Sequence, residues 1–270
     1  MGSWTPADAV RRVPGKLTGA ARSPTVDPGD ANREAHGSGE AIPPEGFPMD
    51  SHAVQQMYSE KASFYHHFFI DFLRYGAGLK ALLRRSDLLR PGIRVLDVGC
   101  GTGILTRNMA EIARQRGLGG IAFQGFDLTP AMLELFRAWM ARTGTTGIEL
   151  RQANVLEPER LPADWTGYDV IVSSAMLEYL PKDRLKDVLA HIGGRLAPEG
   201  RLLVVITRKN LLMKLLIENW WKANMYEREE IASLFEEAGL APAFGRFPFP
   251  YNHLNLWGLV IEARRKEGSR

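Results

Sequence analysis

Three alternating glycines, Gly99, Gly101 and Gly103, follow an apolar run that contains Asp97. Glycine has no Cβ and adopts positive φ readily, so the backbone can turn sharply there and approach a ligand closely. The pattern therefore predicts a ligand-binding turn between a strand and a helix.

The dinucleotide-binding fingerprint is the nearest alternative for this loop. It requires Gly-x-Gly-x-x-Gly, and its last glycine would fall on Ile104 when counted from Gly99, or on Thr106 when counted from Gly101. Because both registers fail, an NAD-dependent oxidoreductase is only a lesser alternative function.

The series Asp97-x-Gly99-x-Gly101-x-Gly103 resembles motif I of the class I S-adenosylmethionine-dependent methyltransferases. The resemblance spans about residues 91–239. It implies S-adenosylmethionine as the cofactor, with the loop backbone against the methionine part and ribose and the acid near the amino group. This ligand carries a sulfonium and an ammonium and no phosphate, so a carboxylate beside it is favourable. The residues expected at the cofactor are Asp97, Gly99, Cys100, Gly101, Gly103, Asp127, Leu128, Met132, Asn154, Val155 and Ser173.

Asp127 ends the second strand-like run, 24 residues beyond Gly103. A carboxylate at this position can accept both ribose hydroxyl hydrogens through its two oxygens. The alternative is a role at the start of the next helix, where Thr129 suits the N-cap, Pro130 the first turn, and an acid the helix dipole. Beside motif I, ribose binding is favoured.

Two later segments agree with the same family. Asn154 ends the third strand, where the family often has an acid that meets the adenine amino group, and its side-chain oxygen can accept that hydrogen bond. Residues 169–179 resemble the fourth strand and its loop, which in the family run close to the transferred methyl group.

Nucleic acid is an unlikely partner. Methylation at carbon 5 of cytosine needs a cysteine nucleophile, and Cys100 already lies in the glycine loop. Enzymes that methylate exocyclic base amines commonly carry an Asn-Pro-Pro-Tyr-like turn where this chain has residues 173–176, Ser-Ser-Ala-Met. The net charge of +3, from 34 basic and 31 acidic side chains, is too even for a phosphate backbone as main partner.

The expected substrate is a small or apolar acceptor, because aromatic residues cluster in the three segments that this fold uses to cover its site. Each aromatic taken alone is better explained by core packing. The candidate proton acceptors are His66, Tyr226, His253 and Glu178, and each has a structural role as its alternative. The aromatic and neighbouring histidine residues are Phe64, Tyr65, His66, His67, Phe68, Phe69, Trp220, Trp221, Tyr226, Phe247, Phe249, Tyr251, His253 and Trp257.

Residues 211–222 combine leucines with lysines at helical spacing. They suit a lid over an apolar acceptor, a helix on a membrane surface, or a helix packed on the sheet. The acceptor atom, which could be oxygen, nitrogen or carbon, and the oligomeric state stay open. A catalytically inactive methyltransferase-like partner or regulatory protein is the alternative function.

These residues must be positioned by alternating strands and helices. The alternation predicts an α/β fold: a doubly wound, mostly parallel, Rossmann-like sheet of about seven strands with helices on both faces. Residues 242–247 and 257–264 break the alternation, so at least one of these C-terminal strands should be antiparallel. Expected strands are 94–98, 122–127, 149–153, 170–174 and 201–207, and expected helices are 104–116, 130–142, 182–192 and 227–238.

The first 50 residues hold 7 of the 16 prolines and 7 of the 27 glycines, a composition that predicts a disordered tail. A transit peptide is the less favoured alternative. A methyltransferase domain is expected over residues 51–270. Its first part, 51–90, should form a helical cover of two helices, or of one helix broken near Gly76 and Gly78.

Cys100 is the only cysteine, so a disulfide framework and a cysteine-based metal site are excluded. No metal is expected. No apolar stretch approaches the roughly 20 residues that cross a bilayer, and the expected location is cytoplasmic.

Overall fold

A seven-stranded sheet organises the computed structural model, which describes residues 74–209, 224–266 and 268. The strands are β1 Arg94–Val98, β2 Ala122–Asp127, β3 Ile148–Gln152, β4 Tyr168–Ser174, β5 Leu196–Thr207, β6 Leu240–Gly245 and β7 Gly258–Arg265. The helices are α1 Tyr75–Arg85, α2 Ile104–Gln115, α3 Pro130–Thr143, α4 Lys182–Gly194 and α5 Arg228–Glu237, with short 3₁₀ turns at Pro158–Arg160, Leu177–Tyr179 and Asn252–Leu256.

The strand order is β3-β2-β1-β4-β5-β7-β6. Strands β1 to β5 pair in parallel, and β7 is antiparallel to both β5 and β6, which confirms the expected Rossmann-like fold. Because Thr207 pairs with Gly258, the loop between β6 and β7 lies at the carboxyl ends of the parallel strands. β6 contains Pro242, which an edge strand tolerates because one side of its backbone has no ladder to join.

Helices cover both faces of the sheet. One apolar cluster packs α4 and α5 on the sheet, and Leu189, Phe235 and Ile171 belong to it. The other packs α1 and α2 on the opposite face, through residues such as Leu79 and Met109. Both faces of the central strands are buried, as their nearly continuous apolar sequences predict.

α1 begins at Tyr75, beside the expected break, and runs through Gly76 and Gly78, while the chain before Arg74 lies outside the described residues. Packing explains the glycine at 78, where a Cβ would overlap the Leu254 side chain of the β6–β7 loop. Gly76 also accepts a hydrogen bond on its carbonyl from Asn108 of α2 (3.1 Å). These glycines therefore bring α1 close to its neighbours.

The expected tail at residues 1–50 and the first part of the cover, 51–73, lie outside the described residues. His66 and residues 211–222 also fall outside them. Among the helices of the described part, none is long and apolar enough to cross a membrane.

Candidate functional site

The strand order reverses between β1 and β4, which are neighbours although they are not consecutive. In open α/β sheets, a crevice for a ligand forms at the carboxyl ends of the strands at such a switch point. The glycine loop leaves β1 at this point, and the loop after β4 faces it. The topology thus locates the candidate site.

All three loop glycines have left-handed backbones, with φ of 66° at Gly99, 51° at Gly101 and 82° at Gly103. Two of them are required by packing, since a Cβ on Gly99 would overlap Met176 and one on Gly103 would overlap the Phe136 ring. A Cβ on Gly101 would meet nothing within 4 Å. Gly101 is therefore the glycine that leaves open space for a ligand.

Asp127 borders this space. Its Oδ2 accepts a hydrogen bond from the Gly101 amide (2.8 Å), and its Oδ1 accepts one from the Thr129 amide (2.8 Å). Each oxygen keeps further capacity to accept a hydrogen bond, because an ionised carboxylate offers about four lone-pair positions. Burial raises the pKa of Asp127, and these amide hydrogen bonds oppose that effect.

The structure also shows part of the alternative role of Asp127, at the start of α3. Thr129 is the N-cap of α3 and Pro130 its first residue, but the Thr129 side chain makes no capping hydrogen bond. Instead, Asp127 binds the Thr129 amide. Its carboxylate therefore links the glycine loop to the start of α3, and a hydrogen bond with the Thr129 side chain helps to lower its pKa.

Asp97 is only 2% exposed. Its Oδ2 accepts hydrogen bonds from the Thr106 hydroxyl (2.7 Å) and the Thr106 amide (3.3 Å). Burial raises the pKa of Asp97 to about 6, the hydrogen bonds from Thr106 lower it, and the nearby Asp127 charge raises it. Neither aspartate forms an ion pair with a described residue.

Two desolvated carboxylates that have no cationic partner in the described part of the chain suit a positively charged ligand. A cation near them would favour their ionised forms, whereas the diphosphate of a dinucleotide would be repelled. The charges at this site therefore disfavour a dinucleotide, as does the mismatch between the glycine loop and the dinucleotide-binding fingerprint.

The thiol of Cys100 is buried and packs in a small cluster with Leu133 and Phe136. Only its backbone is available to a ligand, and its amide already donates to the Phe126 carbonyl (2.9 Å). Burial raises the pKa of the Cys100 thiol well above its usual range, which makes it an unreactive core group. Leu128 and Met132, beside the start of α3, are partly buried.

Asn154 follows β3 and closes a local turn. Its Oδ1 accepts the Leu156 amide (3.1 Å), and its Nδ2 donates to Glu157 (3.2 Å). The expected hydrogen bond to adenine would therefore compete with this turn for the Asn154 oxygen. Val155 packs against the main apolar cluster.

Ser173 is buried, and its hydroxyl donates to the Val98 carbonyl (2.9 Å), joining β4 to β1 below the loop. The next residue, Ser174, forms a hydrogen bond between its Oγ and the Tyr75 hydroxyl (2.5 Å). The sequence patterns missed Tyr75, because the α1 residue lies 99 positions from its partner. They also missed the role of Thr106, although its place in the first turn after the glycines was a usable signal.

Glu178 and Tyr226 come together near the ends of β4 and β5. The Thr207 hydroxyl donates to Glu178 Oε1 (2.7 Å), while Glu178 Oε2 and the Tyr226 hydroxyl are buried without a hydrogen-bond partner in the described part of the chain. Burial raises the pKa of Glu178 to about 7. Burial also raises the pKa of Tyr226, and the Glu178 charge adds to the effect.

The remaining candidate residues at the acceptor side differ in their exposure. His253 is exposed on the 3₁₀ turn Asn252–Leu256. Of the aromatic residues in the same loop, Phe247 is buried in the core and Phe249 is exposed. No group of His, Cys, Asp and Glu suited to a metal occurs among the described residues.

Comparison with known proteins defines the class. The family described as a methyltransferase domain matches residues 65–243, so the chain belongs to this family. The chain is 31% identical over 119 residues to the ubiquinone biosynthesis O-methyltransferase of Marinobacter nauticus, covering 44% of this chain and 46% of that protein. It is 33% identical over 133 residues to the ubiquinone/menaquinone biosynthesis C-methyltransferase of Ectopseudomonas mendocina, covering 47% and 48%.

The chain spans about half the length of these curated relatives. Among solved structures, it resembles the magnesium protoporphyrin IX methyltransferase of Synechocystis PCC 6803 with bound SAH, with a TM-score of 0.60 and 17% identity. That match covers 80% of this chain and all of the other. At this identity the structural likeness concerns the fold.

Proposed function

We propose that this protein transfers a methyl group from S-adenosylmethionine to a small or apolar molecule. The observation that carries the proposal is the open space at Gly101, bordered by the Asp127 carboxylate, at the switch point of a methyltransferase-domain fold. When bound, S-adenosylmethionine supplies an electrophilic methyl group on a sulfonium centre, which an acceptor nucleophile displaces in line.

The residues around Gly101 have the chemistry that this cofactor needs. The loop backbone would hold the methionine part and ribose, Asp127 would accept the ribose hydroxyls, and Asp97 would attract the ammonium group. The partly buried side chains of Leu128 and Met132 would flank the adenosine.

Three further residues complete the proposed cofactor site. Asn154 and Val155 would lie at the adenine edge, and Ser173 would hold β4 against β1 below the cofactor. The Cys100 contribution would come from its backbone, since its thiol is in the core.

The acceptor would meet the methyl group beside β4 and β5. The named relatives include both O-methyltransferases and a C-methyltransferase, so an oxygen or carbon nucleophile has more support than nitrogen. With its pKa near 7, Glu178 would be partly ionised at neutral pH and suited to accepting a proton. Tyr226, with its raised pKa, would stay protonated and donate a hydrogen bond. His253 and His66 are lesser candidates.

Calorimetric titration tests the cofactor half of this proposal. We expect S-adenosylmethionine and S-adenosylhomocysteine to bind and NADH not to bind. Gly101→Val should weaken binding at least about 100-fold, roughly 2.7 kcal/mol, because its side chain would occupy the open space.

Gly117→Val is the matched control, since Gly117 also has a left-handed backbone (φ 67°) and open space where its Cβ would lie, but follows the far end of α2. Both variants should lose similar stability, while only Gly101→Val should lose affinity. Binding of NADH alone would favour the oxidoreductase alternative.

The proposed methyl transfer is tested with a panel of hydroxylated aromatic compounds, whose methylation is followed by mass spectrometry. Cofactor binding without transfer to any acceptor would favour the inactive-partner alternative.

A further inference from the structure

The first turn of α2 lacks the usual means of satisfying its amides. Its N-cap is Gly103, which has no side chain to accept a hydrogen bond, and no acid lies in the first turn. The amides of a first helical turn have no partner within the helix. Asp97 of β1 fills this role from across the loop, because its Oδ2 accepts the amide of Thr106, the third residue of α2.

Thr106 donates two hydrogen bonds to Asp97. Its hydroxyl donates to the same Oδ2 at 2.7 Å, and its side chain is only 1% exposed. Two hydrogen bonds to one oxygen restrict rotation of the carboxylate. No described residue donates to Oδ1, so the second oxygen is held in a fixed place and keeps its capacity to accept.

We propose that Thr106 is a positioning residue of the cofactor site, which holds Oδ2 of Asp97 and thereby presents Oδ1 to the cationic end of the cofactor. This inference rests on the proposed function. It adds a residue that makes no contact with the cofactor and acts through the orientation and charge of Asp97.

The charge of Asp97 depends on its surroundings in a way that can be measured. The groups that face it are Thr106 of α2, Asp127 of β2 and the Cys100 thiol of the loop. Of these, only Thr106 favours the ionised carboxylate, while burial and the Asp127 charge disfavour it. Removal of the Thr106 hydroxyl should therefore raise the pKa of Asp97 from its value of about 6.

The experiment compares Thr106→Val, which keeps the shape and amide but removes the hydroxyl, with Thr106→Ser, which keeps the hydroxyl. The affinity for S-adenosylmethionine is measured by calorimetry from pH 5 to pH 8, and melting temperatures check folding. In the unsubstituted protein, affinity should fall as the pH drops through about 6, because protonated Asp97 no longer attracts a cation. In Thr106→Val the midpoint should move up by about one pH unit, with an about twofold loss of affinity at pH 7 that grows toward about tenfold below pH 6, because less Asp97 is ionised.

Thr106→Ser should restore the original midpoint. Asp127 contributes equally to all three profiles, so it does not mimic the shift. A purely structural Thr106 would lower the melting temperature and leave both affinity and midpoint unchanged, which would overturn the inference while the proposed function stands. Absence of cofactor binding by the unsubstituted protein at every pH would instead overturn the proposed function, and the inference with it.

Discussion

At the ends of β1 and β2, Asp97 accepts hydrogen bonds from Thr106 of α2, and Asp127 accepts them from the amides of Gly101 and Thr129. Near the ends of β4 and β5, Glu178 and Tyr226 each keep one buried polar atom without a partner among the described residues. Burying such an atom without a hydrogen bond costs about 1 to 3 kcal/mol. The β1–β2 region is therefore arranged by its own hydrogen bonds, while the β4–β5 region carries a cost that no hydrogen bond within the described part of the chain offsets.

Under the proposed function, this contrast agrees with cofactor binding in the first region and acceptor chemistry in the second. Fixed backbone and carboxylate groups can bind a cofactor that is the same in every catalytic cycle. Acceptor chemistry needs groups that change protonation or partner during the reaction. Burial raises pKa values in both regions, but only Glu178 and Tyr226 combine a raised pKa with a buried atom that has no partner among the described residues. The three predictions that follow test the two regions in turn.

The largest effect is expected for Glu178→Gln and concerns how the free energy of unfolding changes with pH. Because burial raises the pKa of Glu178 from 4.5 to about 7, the folded protein binds more protons than the unfolded chain between these values. Stability should therefore fall as the pH rises from 4.5 to 7 and stay lower above pH 7. The full loss would be about 3 kcal/mol. Glu178→Gln should remove this fall in stability between pH 4.5 and pH 7, as measured by denaturant unfolding at several pH values.

Asp97 also has a raised pKa and contributes a fall of the same sign up to about pH 6. This contribution is present in both proteins and cancels in their difference. Glutamine retains an oxygen that can accept from Thr207, which keeps the substitution conservative. Identical pH dependence of unfolding in the two proteins would show that Glu178 is not held in a desolvated state.

A smaller effect is expected in the β1–β2 region for Asp127→Ala. If the carboxylate holds the ribose hydroxyls, their loss should weaken cofactor binding about 10- to 100-fold, after water recovers part of two hydrogen bonds to a charged group. A role confined to the start of α3 would instead lower the melting temperature and leave affinity within about twofold, roughly 0.4 kcal/mol.

Asp169→Ala is the matched control for Asp127→Ala. Asp169 also accepts a backbone amide, that of Arg94 at 2.9 Å, but does so at the amino ends of β1 and β4, opposite to the glycine loop. Its loss should cost stability without changing cofactor affinity. Calorimetry and thermal unfolding of both variants separate the two roles.

The contrast between the regions also explains what the sequence could predict. The bounds of β1 and β2 are as expected, because an apolar run followed by glycines or by Thr129-Pro130 is a local signal. The family membership followed from motif I, which is contiguous. The ligand role of Asp127 stays a prediction, and the structure adds that its carboxylate binds the Gly101 amide.

Features that depend on distant contacts were harder to predict. Gly78 lies within α1, and its presence there is explained by Leu254, which is 176 positions later. The buried pair of Glu178 and Tyr226 could be named as candidates, but their burial and shared surroundings depend on packing between β4, β5 and the chain after it. No local pattern reports how a side chain is desolvated.

The smallest effect concerns Tyr75 and Ser174, whose hydroxyls meet at 2.5 Å near the end of β4. Tyr75→Phe removes one hydroxyl but keeps the ring against Phe247, whose centroid is 6.3 Å away. If this hydrogen bond orients the loop after β4 for methyl transfer, kcat should fall about fivefold while cofactor affinity changes less than twofold, since a neutral hydrogen bond contributes about 1 kcal/mol.

Ser174→Ala and the double variant complete a mutant cycle. A shared role predicts that the double variant is no slower than either single variant, a coupling of about 1 kcal/mol in kcat. Tyr251→Phe, which removes a hydroxyl from the adjacent loop, controls for general effects and should leave kcat unchanged. Additive losses in kcat for Tyr75→Phe and Ser174→Ala would mean that the two hydroxyls act independently. In that case α1 would contribute to the β4–β5 region through packing alone, and the hydrogen bond between these side chains would have no part in positioning the acceptor.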